Sequence, residues 1–115
     1  MMESQKPRLS LKGSNGQIEL YEHFLLITRK GLTGFLTHGF DGAKIIFLKA
    51  LTGIQFKSAG KATKGYIQFV FQGSQESKGG LKAAVSDENT VLFTEKEATL
   101  FTQLLDILLK EVGKT

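Results

Sequence analysis

The chain contains no cysteine, which excludes disulfides, thiolate metal sites and a cysteine nucleophile. Tryptophan is absent too, proline occurs once and histidine twice, so an imidazole-based metal cage or catalytic set has almost nothing to draw on. Arg8 and Arg29 are the only arginines, which argues against an arginine-rich nucleic-acid surface. No apolar run approaches the roughly 20 residues that span a bilayer as a helix. Met1 to Arg8 is polar, without the apolar core of a signal peptide. These absences lead us to expect a cytoplasmic protein with no metal or cofactor, and not an enzyme.

What is present describes one ordinary domain. A chain of 115 residues is long enough for a single hydrophobic core. Its 41% hydrophobic and 23% charged content is typical of globular proteins. The net charge is +4 and the isoelectric point about 9.4, but the basic residues are scattered rather than blocked. Such a balance reads first as solubility and second as attraction to a polyanion.

Residues 1–16 read as an N-terminal arm, polar, with Pro7 and a Gly13-Ser14-Asn15-Gly16 turn cluster. Within it Leu9 and Leu11 alternate with polar neighbours and allow a short edge strand. Residues 17–113 read as the domain. Ile18 and Leu20 alternate with polar residues, Glu22-His23 reverses the chain, and Phe24–Arg29 follows as a strand. A glycine-spaced loop runs from Gly31 to Gly42. Ala43–Leu48 is β-branched and apolar apart from Lys44, Lys49–Leu51 is a turn, and Thr52–Lys57 sets Ile54 and Phe56 on one face. Gly65–Gln72 has the cleanest alternation: Ile67, Phe69 and Phe71 face one way and Gln68, Val70 and Gln72 the other, the pattern of a half-buried strand. After a Gly/Ser-rich loop and a weak strand candidate at Leu81–Val85 comes a last strand, Thr90–Thr94. Thr94-Glu95-Lys96-Glu97 is a capping box, and Ala98 to Val112 is free of Gly and Pro before Gly113.

Six or seven antiparallel strands closed by one helix predict a mainly β (α+β) fold, a bent barrel with the C-terminal helix plugging one end. A sheet with the helix lying across it is the plainer competitor. The segments Ile18–Glu22, Arg29-Lys30-Gly31, Phe35–Gly39, Ile54–Lys57, Gly65–Phe69 and Asp87–Val91 resemble a bacterial and phage family of unknown function whose fold is pleckstrin-homology-like. The resemblance spans roughly residues 13–110. It implies that fold and no catalytic residues; some members carry a C-terminal oligomerisation tail, which is not expected here.

The side chains assemble no reaction centre. His23 lies in a turn and His38 in the glycine loop, neither with partners at ligand spacing. Asp87-Glu88 reads as a turn, and Glu95 and Glu97 complement a helix dipole. Gly113-Lys114-Thr115 ends like a phosphate loop, but Leu108 stands where its first glycine belongs. Two constellations remain. Arg29, Lys30, His38, Lys44, Lys64 and Lys78 sit in or beside predicted loops and are the candidate anion-binding residues. In the Gly31–Gly42 loop, Leu32, Phe35, Leu36 and Phe40 form either a satellite of the core or an exposed contact.

The helix carries more apolar surface than a plug needs. Ala98, Phe101, Leu105, Leu108 and Val112 make one stripe, and Leu100, Leu104 and Ile107 widen it on one side, Leu109 on the other. Leu100, Leu104 and Ile107 are therefore the candidate interaction surface. The function expected is a non-catalytic, self-associating module that binds a protein or peptide. The alternative is capture of an anionic small molecule, such as a nucleotide signal, or of an acidic lipid headgroup. Nucleic acid is not expected as a partner.

Overall fold

The alternation of Ile18 and Leu20 with polar residues becomes one buried face of a four-stranded antiparallel sheet. The computed structural model describes residues 6–29, 43–72 and 88–112. Strands β1 (Leu9–Lys12), β2 (Gly16–Leu20), β3 (Phe24–Arg29) and β4 (Ala43–Phe47) lie side by side in chain order. A short 3-10 turn, Leu48–Ala50, leads into a second antiparallel sheet of β5 (Leu51–Lys57), β6 (Gly65–Phe71) and β7 (Thr90–Phe93). Helix α1 (Ala98–Val112) follows. Among the described residues the fold is thus mainly β, seven strands in two antiparallel sheets with one C-terminal helix, and the two sheets are not joined into a closed barrel.

Register places the core. Ile18 stands opposite Ile27, Leu20 opposite Leu25, and Leu25 opposite Ile46, so one face of the first sheet is aliphatic. It packs with Ile67, Phe69, Val91 and Phe93 of the second sheet and with Phe101, Leu104 and Leu108 of α1 in one cluster. Phe93 and Phe101 stack at 4.4 Å. Burying each of these side chains contributes about 1.5–3 kcal/mol relative to exposure. The helix starts where the capping box requires: Glu97 accepts from the Thr94 backbone N–H at 2.8 Å, with the reciprocal Thr94 bond also formed. Among the described residues no helix is long and apolar enough to cross a membrane.

The short edge strand that the sequence allows within the arm forms as β1, with Leu11 in the core. The structure departs from the sequence reading in three places. Leu51 opens β5 instead of ending a turn. β6 is buried on both faces from Gly65 to Phe69: Ile67 and Phe69 enter the core, and on the other face Tyr66 packs with Leu92. Gln68, expected outside, is fully buried between Gln55 and Thr90 on the neighbouring strands, where polar partners surround its amide. Finally, Phe101, Leu104 and Leu108 are the buried residues of α1, which turns its inner stripe by roughly 45° from the expected line. Leu104 is therefore a core residue and no part of an outer surface.

Candidate functional site

The predicted basic residues do not converge on one place. Arg29, at the end of β3, donates from Nη1 to the Thr90 carbonyl at 2.8 Å and from Nη2 to the Glu88 carbonyl. The Lys44 ammonium lies 2.8 Å from Glu88 Oε1 and 5.5 Å from the centre of the Phe71 ring. Arg29 and Lys44 thus meet around Glu88. Lys64 sits in the β5–β6 turn, the length of β6 away from Phe71, roughly 20 Å. With Lys61, Lys96 and Glu95 it lines an open cleft of about 500 Å³. Lys30, His38 and Lys78 lie outside the described residues, as do Leu32, Phe35, Leu36 and Phe40. His23 is exposed in its turn, 3.4 Å from Glu22.

Arg29 belongs to a seam that closes the outer edge of β7. Phe69 donates to the Asn89 carbonyl, which sets the phase of the β6–β7 ladder and aims the backbone groups of Thr90 and Leu92 away from β6. Each finds a partner in the first sheet. The Leu92 carbonyl accepts from Ser14 N–H at 2.7 Å, the Leu92 N–H donates to Asn15 Oδ1 at 2.9 Å, and the Thr90 carbonyl accepts from Arg29. Gly13 makes this approach feasible, since a Cβ there would collide with the Leu92 carbonyl oxygen and with Val91.

The outer strand β4 has no such cover among the described residues. Leu26 stands opposite Ile45 and Phe24 opposite Phe47, so these four share the face of the first sheet turned from the core. Tyr21 and Phe24 stack at 4.8 Å, and Phe47 meets Phe24 edge-on at 6.2 Å. Leu26 is fully buried, but Ile45 is 38% and Phe47 60% exposed. Farther along this face, burial raises the Glu19 carboxyl above its ordinary range, an effect the Tyr21 hydroxyl opposes by hydrogen-bonding it. The Tyr21 phenol is raised by burial, then by the Glu19 charge and that same bond.

The helix offers less outer surface than its leucine count implied. Ile107 is half-buried against the core. Leu100 and Leu109 are 42% and 56% exposed, yet they stand half a turn apart on opposite flanks at about 100° per residue. Between them runs a polar face of Thr99, Thr102, Gln103, Asp106 and Lys110.

Ile45 and Phe47 are thus the described apolar side chains that sit together in the open, and sequence reasoning did not single them out. The segment Ala43–Leu48, apolar but for Lys44, reads simply as a strand. Only strand order reveals that it lies at an edge. A family model described as Domain of unknown function (DUF4429) matches residues 22–108, from the β2–β3 turn into α1. No curated protein and no solved structure matches the chain.

Proposed function

We propose that this chain, which belongs to the DUF4429 family of domains of unknown function, is a non-catalytic module of pleckstrin-homology-like architecture that binds a protein or peptide partner along β4. A four-stranded sheet, a three-stranded sheet and a C-terminal helix are the parts that such an architecture has, although a fold alone carries no function. The observation that carries the reading is Phe47, 60% exposed beside Ile45 on a strand with an open edge. An edge strand accepts an extended segment through its backbone, and flanking apolar side chains add affinity. Selection of random extended peptides against the protein tests it. Peptides that bind the wild type and lose binding to a Phe47→Ser/Ile45→Lys variant are expected; peptides that bind both equally, or none at all, refute it.

The cleft of Lys61, Lys64 and Lys96 favours a second reading, capture of an anionic small molecule or lipid headgroup. With Arg29 and Lys44 engaged around Glu88, this cleft is a place where three described lysines leave room for a ligand. A ligand that binds only the folded state raises the melting temperature. Thermal shifts with nucleotides or anionic lipids that disappear in Lys61→Ala/Lys64→Ala support this reading, and flat curves dismiss it.

A further inference from the structure

Among the described residues the two sheets have four outer strand edges, and three carry a guard. An exposed edge invites pairing with another chain, and proteins block this with charge, bulges or cover. The edge of β7 is sealed by Ser14, Asn15 and Arg29. β5 carries a register shift between Leu51 and Gly53, which bends a strand away from a partner. β1 exposes Ser10 and Lys12 and shares a cleft with Lys96, Glu97 and Leu100 at the start of the helix. β4 carries no bulge, and among the described residues no segment covers its outer edge. Its one charge, Lys44, lies on the face opposite to Ile45 and is held by Glu88.

Resting on the reading of β4 as the contact surface, we infer that its occupant is the β4 strand of a second copy, paired antiparallel about a twofold axis at Ile45. The hydrogen-bond phase fits. Leu48 donates to the His23 carbonyl at 2.9 Å, so Ile46 and Lys44 bond toward β3, while Ala43, Ile45 and Phe47 turn their N–H and C=O groups outward. In a register centred on Ile45, that residue meets its own copy and Ala43 meets Phe47. All of these residues belong to the outward-bonding set, so each pair exchanges two hydrogen bonds. The side chains fit as well. The bulkiest, Phe47, faces the smallest, Ala43, and Lys44 faces Ile46, so no like charges oppose. The contact is isologous and closed. It joins the two sheets into one continuous sheet with Phe24, Ile45 and Phe47 of both copies on the same side.

The register makes a test that other arrangements do not pass. Ile45→Lys alone sets like charges across the axis, and Ile45→Glu alone does the same; each is expected to weaken self-association about tenfold or more. Mixed in equal amounts, the two variants pair with each other and association returns. Sedimentation across a concentration series reads the mass, and far-UV circular dichroism with melting curves confirms that each variant folds. Ile45→Pro gives a second check, because it removes an N–H that points outward and leaves the β3 pairing intact. A wild-type dimer that neither single variant weakens, or that Leu109→Glu dissolves instead, overturns the inference. So does a wild type that stays monomeric. If that monomer still captures β4-dependent peptides, only the second copy is refuted and the binding-surface reading stands; if it captures none, both fall.

Discussion

β7 and β4 are short apolar strands, Thr-Val-Leu-Phe and Ala-Lys-Ile-Ile-Phe, and each is the outermost strand of its sheet. β7 is buried along its whole length; β4 leaves Ile45 and Phe47 in the open. Neither strand's own composition decides this. β7 is covered because a turn from the far end of the chain and an arginine from β3 reach its backbone, and Gly13 lets the turn come close enough. Protection of an edge here is a property of other segments, and among the described residues none covers the outward backbone of β4.

The comparison breaks most sharply at Gly13. A Gly13→Val variant pushes the β1–β2 turn off β7 and is expected to lose about 3 kcal/mol by overpacking, read by urea denaturation. Next is Arg29→Ala, which leaves the Thr90 and Glu88 carbonyls without their charged donor and costs about 2 kcal/mol in the same assay. On the open side the expected effects on stability are small. Phe47→Ser changes it by about 1 kcal/mol or less, so a fall in association measured on that variant reports the surface and not unfolding. The smallest effect sharpens the chemistry of the open face. Because burial raises the Glu19 carboxyl, the folded state holds that proton more tightly than the unfolded chain. Stability contributed by this group is present in acid and is lost as pH rises through the raised value. Glu19→Gln should flatten that segment of a melting-temperature series from acid to neutral pH, while a slope unchanged from the wild type contradicts the assignment.

Much of the fold was legible because two periods dominate it. Ile18 and Leu20 face the core as alternation requires, and Thr94 and Glu97 form the cap that their spacing announces. What escaped depends on neighbours. Gln68 looks like a surface residue until β6 is known to lie between two strands. Leu104 and Leu105 are adjacent on the helix, and which one is fully buried depends on how the helix rolls against Phe93. The structural role of Arg29 was not legible because its carbonyl partners are some sixty positions away, beyond the range of any local pattern. The open edge of β4 escaped for the same reason, since strand order is not written in strand composition.

The seam over β7 also sets a timetable. Its bonds join residues 61 and 77 positions apart, and closing so long a loop costs chain entropy before the contact repays it. Sealing the edge is then expected late in folding and its opening early in unfolding. Removing Arg29 should therefore speed unfolding and leave the folding rate nearly unchanged, so that the seam governs how long a folded molecule lasts more than how quickly it forms.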